Sequence, residues 1–240
     1  MSRLVSAMVL AAGMGTRMRP LTDTRPKPLV ELDGRTLLDH VLDRLADAGI
    51  IRAVVNVHYR ADQIETHLAG RVRPQIVISD ERDEILDTGG GVVKALSLLG
   101  PGSFFVHNSD SVWIEDASPA LEAMATAWDE EKMDALLLLA PAERSIGFAG
   151  AGDFIMEDEG KLARRGNRDS APYIFAGVSI AHPRLLEGSP EGPFSLNKPW
   201  DEAIAAGRLF GLRLEGLWMH VGTPEALSEA EALLKDGDGK

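Results

Sequence analysis

The chain of 240 residues contains no cysteine, which excludes disulfides, thiolate nucleophiles and thiolate metal sites together and suits a reducing compartment. Positive charge is also scarce: 25 Lys and Arg stand against 37 Asp and Glu, a formal net charge of -12. A surface of that sign repels nucleic acid and anionic membrane, so neither is expected as a partner, and a phosphate ligand must be held by cations gathered locally. No apolar run approaches the ~20 residues that cross a bilayer, and the first residues lack the basic and long apolar segments of a secretory signal. The expectation is a soluble, cytoplasmic protein, monomeric or a small homo-oligomer. Internal repeats, heptad runs and low-complexity segments are missing as well.

What the chain does have is apolar content, 45%, enough for one large α/β domain with a sizeable core. Residues 8–30 organise the rest. The apolar run 6–10 gives way to Ala11 and Ala12 and then to Gly13 and Gly15, which suit a tight turn where backbone approaches a ligand closely. N–H groups freed by such a turn make an anion-binding concavity, and Arg17 and Lys27 add two cations to it. The pattern predicts a polyphosphate site at the end of a strand. Two familiar phosphate loops do not fit the same residues. The P-loop G-x-x-x-x-G-K-[ST] is ruled out because Lys27 lies well past the glycines, framed by Pro26 and Pro28. The dinucleotide fingerprint G-x-G-x-x-G needs a third small residue where Met18 stands, which argues against a nicotinamide or flavin dehydrogenase.

Beyond that stretch, Leu37, Leu38, Val41, Leu42 and Leu45 recur at helical spacing, with Thr36 as cap and Gly49 as stop. Apolar runs at 50–57, 76–78, 103–108 and 135–139 read as buried strands, and 61–68 and 119–128 as helices. The turn 87–91, Asp-Thr-Gly-Gly-Gly, leads into a helix carrying Val92, Val93, Ala95, Leu96 and Leu99. After residue 140 the rhythm changes. Segment 147–167, rich in glycine and charge, predicts a hairpin overhanging the sheet edge, a candidate substrate lid. Strands at 173–181 and 209–214 follow, with helices at 200–206 and 224–234, the latter capped by Thr223 and trailed by a frayed end at 235–240. The fold class this implies is α/β: a single-domain, Rossmann-like, doubly wound, mostly parallel mixed sheet with a small hairpin insertion. Ligands in such sheets bind outside the carboxyl ends of the strands, which points to 11–17, 87–91, Asp110 and 218–224.

The stretch 10–28 resembles the signature of the sugar-1-phosphate nucleotidyltransferases, L-A-A-G-x-G-T-R-x-x-P-L-T followed by P-K-P. Each position is filled, by Leu10, Ala11, Ala12, Gly13, Gly15, Thr16, Arg17, Pro20, Leu21, Thr22, Pro26, Lys27 and Pro28. The resemblance implies a nucleotidyltransferase fold over the whole of 1–240, with 1–140 as the nucleotide-binding half and 141–240 as the sugar-binding half. It implies nucleotide contacts from Leu10 to Gly13, Gly15, Thr16, Thr88 and Gly89, a reading preferred for the glycines at 89–91 over the alternative that they only start a helix. It implies Mg2+ on Asp110, after the run Phe104, Phe105 and Val106. A second family ligand is the aspartate of W-x-D-x-G-T-P, where this chain reads Trp218-Met219-His220-Val221-Gly222-Thr223-Pro224. Histidine replaces aspartate, and His220 is either a ligand or structural. Sugar contacts are implied for Asn108, Gly152, Gly177 and Asn197, with Phe175 and Phe194 as sugar-side or core residues.

The implied reaction joins a nucleoside triphosphate to a sugar 1-phosphate with release of pyrophosphate, Arg17 and Lys27 being the catalytic cations. The short chain, the D/E-T-G-G-G turn and the V-G-T-P-E ending look most like N-acetylmuramate-1-phosphate uridylyltransferases of peptidoglycan recycling, which favours UTP. Mannose-1-phosphate guanylyltransferases and other hexose-1-phosphate enzymes are the alternative. A catalytically silent nucleotide-sensing domain is the alternative of another class, opposed by Arg17, Lys27 and Asp110 and favoured weakly by His220.

Overall fold

The computed structural model describes residues 4–116 and 118–237. The chain begins with β1 (Ser6–Leu10), β2 (Glu31–Leu32), β3 (Arg35–Thr36), α1 (Leu37–Asp47), β4 (Arg52–Val57), α2 (Ala61–Leu68), β5 (Gln75–Asp80) and α3 (Asp87–Leu99). It continues with β6 (Phe104–Asn108), β7 (Ser111–Glu115), α4 (Ala120–Ala127), β8 (Ala135–Pro141), β9 (Ser145–Ile146), β10 (Phe154–Met156) and β11 (Leu162–Arg164). The last elements are β12 (Tyr173–Ala181), α5 (Asn197–Ala205), β13 (Leu209–Arg213), β14 (Gly216–His220) and α6 (Pro224–Gly237).

The central sheet has nine strands, in the order β11-β10-β12-β6-β1-β4-β5, with β8 beside β12 and β13 beside β8. On the side of the Gly-rich loop, β6, β1, β4 and β5 are all parallel, so their carboxyl ends share one edge. Strand β12 enters antiparallel between β6 and β8 and turns the sheet mixed. Alternation along each strand feeds two cores: Ala7 and Val9 join Leu38, Val41 and Leu42 of α1 on one face, while Met8 joins Val92 and Ala95 of α3 on the other. Helices thus cover both faces, as the sequence pattern implied. Each fully buried Leu or Val contributes on the order of 2 kcal/mol against leaving it in water. A third, smaller core gathers Met18, Val30, Leu32, Leu37, Val112, Met219, Val221 and Ala230. It fastens the signature loop to the C-terminal helix.

Local rules set several boundaries. Thr36 accepts the Asp39 amide at 3.1 Å and starts α1, and Thr223 accepts the Ala226 amide at 3.3 Å and starts α6. The expected hairpin forms as β10 and β11, pinned to the main sheet by the Phe154 and Tyr173 pairing. Other expectations need correction. Residues 87–91 are the first turns of α3 and not a loop ahead of it. Helix α5 begins at Asn197, earlier than 200, and Pro119, not Ser118, is the residue before α4. The motif 218–224 contains a strand, since β14 pairs antiparallel with β7 and parallel with β9 in a second small sheet. Its short strands carry little periodic signal, and their pairing is decided between segments far apart in the chain, Trp218 facing Trp113 on one side and Ser145 on the other. The expected frayed end is helical as far as Gly237, and residues 238–240 lie outside the described residues.

Candidate active site

Strand β1 delivers the signature loop to the carboxyl edge. There the Ala11 amide donates to Asn56 Oδ1 at 2.7 Å, tying the loop to the end of β4. Gly15 has φ +63, and a Cβ on it would come within 3.0 Å of the Lys27 Cβ, so both conformation and space call for glycine. The Thr22 hydroxyl donates to the Gly15 carbonyl at 2.8 Å and closes the loop on itself. From outside, Tyr59 donates to the Thr22 carbonyl at 3.0 Å and Gln63 to the Thr24 carbonyl at 3.1 Å. The loop is therefore braced from the β4–α2 connection, with Met18 as its buried anchor.

These pieces enclose a cleft of about 360 Å3. Leu10, Ala11, Ala12, Gly13, Gly15, Thr16, Arg17, Lys27, Thr88, Asn108 and Asp110 all line it. So the structure gathers most of the residues singled out in the sequence. Gly89 does not line the cleft: its amide donates to the Phe194 carbonyl at 2.8 Å, and a Cβ there would sit 2.3 Å from the Phe194 ring. Gly177, with φ +80, lies behind Asn108 and Ser111 in the irregular stretch of β12. Gly152 packs on the Ala171 carbonyl in the hairpin region. Asn197 opens α5, where its Oδ1 accepts from Arg164 at 2.9 Å. Phe175 packs edge-on against Trp200, with ring centroids 4.8 Å apart, and is a partly buried residue at the margin of the core.

Cations and carboxylates divide the cleft. At one end Lys27 Nζ donates to Asp110 Oδ2 at 2.6 Å, with side chains only 11% and 21% exposed. Burial raises the Asp110 pKa, yet Lys27 and then His220 outweigh it and hold the carboxyl below its ordinary range. His220 is pushed below its ordinary value chiefly by burial, which the Asp110 charge opposes and Lys27 and Arg17 reinforce. Its ring stacks on Trp218, centroids 5.6 Å apart, and Gly222 makes room for it: a Cβ there would lie 2.5 Å from Nε2.

At the other end are Asn56, Glu81 and Ile85, which the sequence reading passed over, together with Asp87 from the expected 87–91 turn. Glu81 is 0% exposed, with Oε1 accepting from Asn56 at 2.7 Å and Oε2 from the Leu86 amide at 3.1 Å. It buries its charge on neutral donors. The signal that would have found it is the one that found Asp110: it is the first residue past a strand at the carboxyl edge. Asn56 carried a signal too, as a polar residue inside an otherwise apolar strand.

Asp110 and His220 are the pair that would hold a metal. Among the described residues no group of three or more His, Asp or Glu is placed to hold a metal, so these two alone form an incomplete shell. One carboxylate and one neutral imidazole fit a cation that brings its remaining oxygens from phosphate and water, as Mg2+ does at nucleotide sites.

Residues 7–237 match the MobA-like NTP transferase domain family. The chain belongs to that family. Among relatives of this NTP transferase domain, it is 51% identical over 234 residues to the N-acetylmuramate alpha-1-phosphate uridylyltransferase of Caulobacter vibrioides, covering 96% of this chain and 97% of that one. It is 33% identical over 232 residues to the enzyme of the same name from Neisseria meningitidis serogroup B, covering 95% and 98%. A mannose-1-phosphate guanylyltransferase catalytic subunit beta from Drosophila pseudoobscura pseudoobscura is 30% identical, the match covering 91% of this chain and 59% of that one. In fold, the NTP transferase domain superposes on UDP-glucose pyrophosphorylase complexed with UDP-glucose at a TM-score of 0.81 and 15% identity, covering 98% of this chain and all of that one.

Proposed function

We propose that the chain transfers a uridylyl group from UTP to N-acetylmuramate 1-phosphate, giving the nucleotide sugar and pyrophosphate, with Mg2+ as the working cation. The observation that carries this reading is the single cleft in which the Gly-rich loop, Arg17, Lys27 and Asp110 meet, in a chain half identical to a relative of that name.

The chemistry asked of the protein is modest. A sugar phosphate is already ionised at neutral pH, so its oxygen attacks the α-phosphorus in line without a general base, and catalysis rests on positioning and charge neutralisation. Arg17 offsets charge on the leaving pyrophosphate. Lys27, which donates to Asp110 at 2.6 Å, is assigned in this reading to the charge of the α-phosphate and the incoming phosphate. The exposed amides of the Gly-rich loop orient the triphosphate. Asp110 and His220 would hold a divalent cation, which would supply positive charge to offset that of the two anionic substrates. Residues 1–140 form the nucleotide half, and 141–240 the sugar half, in which Gly152, Gly177 and Asn197 shape the surroundings of the acceptor and Asn108 faces it from the cleft.

The deciding experiment is pyrophosphate release from each of four nucleoside triphosphates against a panel of sugar 1-phosphates. The UTP and N-acetylmuramate 1-phosphate pair should be fastest. A preference for GTP with mannose 1-phosphate overturns the assignment of substrates, and no release from any pair overturns the enzyme.

A further inference from the structure

The nucleoside end of the cleft is short of free donors. The Ala11 amide is consumed by Asn56 and the Leu86 amide by Glu81. The Thr88 amide is consumed by Asp87 Oδ1 at 2.6 Å, and those of Gly89 and Gly90 by the Phe194 carbonyl at 2.8 and 3.2 Å. Against this stand two carboxylates, Glu81 and Asp87, both lining the cleft at the end away from Arg17 and Lys27. Phosphates are repelled from that end, so whatever part of a nucleotide lies there must be able to donate.

Asp87 is the more accessible of the two. It is exposed where Glu81 is fully buried, and its Oδ2 makes no hydrogen bond among the described residues. Its backbone has φ +58, the left-handed region that a non-glycine residue enters at a cost of about 1 kcal/mol. Beside it, the Thr88 hydroxyl oxygen accepts from the Leu196 amide at 2.9 Å, which leaves the hydroxyl proton free to donate. An acceptor next to a donor is the complement of a ring N–H next to a carbonyl.

We infer that Asp87 selects the base: its free carboxylate oxygen accepts the ring N–H of a keto base such as uracil while the Thr88 hydroxyl donates to the neighbouring carbonyl. Cytosine and adenine present an unprotonated ring nitrogen at the same edge, and two acceptors facing each other leave both unpaired. This inference rests on the cleft being a nucleotide site, as proposed above, and adds the residue that discriminates within it. Guanine, with its own ring N–H beside a carbonyl, would pass the same test.

Calorimetric titration with UTP, CTP, GTP and ATP in Mg2+, with no acceptor sugar present, tests it on the parent, Asp87→Asn and Asp87→Gly. Asn keeps an oxygen for the Thr88 amide and tolerates the left-handed backbone, but turns a donor toward the base. Asp87→Asn should therefore weaken UTP, strengthen CTP and narrow the UTP-to-CTP ratio at least about tenfold, the scale of one hydrogen bond to a charged group. Asp87→Gly should weaken UTP without strengthening CTP. An unchanged ratio in Asp87→Asn, in a protein that melts like the parent, overturns the inference and leaves Asp87 as a local cap. Equal losses for all four triphosphates also overturn it, moving the contact to the ribose. If the parent binds GTP as well as UTP and rejects CTP and ATP, the inference stands while the choice of UTP falls; if the parent binds none, the nucleotide reading itself fails.

Discussion

Lys27 and Asp110 face each other at 2.6 Å in a partly buried cleft, and the proposed reaction gives the two residues different tasks. Asp110→Asn keeps the shape but removes the carboxylate that, among the described residues lining the cleft, stands at the cationic end. Turnover should fall by about 10² or more, the scale on which a single electrostatic group acts in a water-poor site, with the thermal melt unchanged; near-normal turnover at limiting Mg2+ would sink its role. Lys27→Ala should lower kcat more than it raises KM for the triphosphate, since charge builds on the phosphates mainly in the transition state. A change in KM alone would make it a uniform binding group. His220 is the residue where the chain departs from the motif it resembles. Imidazole is a poorer ligand than carboxylate for Mg2+, so His220→Asp should lower the Mg2+ needed for half activity and His220→Ala should raise it. A metal titration of the three proteins that superposed would make the histidine structural.

Elements show how tertiary contact reverses a local rule. Replacing glycine by alanine inside an exposed helix stabilises by about 1 kcal/mol. Gly90 is in α3, yet a Cβ there would stand 2.3 Å from the Gly192 carbonyl, a backbone atom that cannot step aside. Gly90→Ala should therefore destabilise by about 1–3 kcal/mol, as overpacking does, read as a drop in the urea midpoint. The same contact has a functional side. The segment 192–196 lies on the first turns of α3 through Phe194 and Leu196, and α5 follows at once with Asn197. The displaced strap should also raise KM for the triphosphate, because Thr88 loses its partner.

For the molecule as a whole, acid is the stress the structure meets with identifiable groups. Asp134 accepts from Arg184 Nε at 2.5 Å and Arg208 Nε at 2.7 Å, joining the segment after β12 and the start of β13 to the start of β8. Burial raises its pKa, but the two arginines outweigh that and hold it below the ordinary value. The unfolded chain therefore takes up this proton first, near pH ~4. The stabilisation is complete above that pH and is lost as pH falls through the lower folded value. Buried His107, pushed down by desolvation from 6.5 to about 3, adds a loss that begins at higher pH, as the unfolded histidine protonates and the folded one does not. Melting temperature should fall in two stages on acidification. Asp134→Asn should flatten the lower stage and leave the upper one; an unaltered lower stage would show that the two ion pairs contribute nothing net.

The Gly-rich loop at the end of β1 was legible without any structure, because a strand ending in small residues and followed by fixed glycines and cations is a local arrangement. So were the Thr36 and Thr223 caps, the buried strands and the hairpin at β10 and β11, each set by neighbours within a few residues. Tertiary structure alone decided which carboxylates enter the cleft and what the amides of α3 are bonded to. Glu81 carries no local mark of the cleft beyond its place after a strand, and Asp87 none beyond its place in the 87–91 turn, until β4, β5 and the 192–196 segment are brought together. Gly89 read as a nucleotide contact until Phe194 takes its amide. His220 comes within electrostatic reach of Asp110 only through the pairing of β7 with β14, across more than a hundred residues of chain. Periodicity and turn chemistry report on bonds made nearby, whereas partners supplied from far along the chain leave no mark on the residues around them.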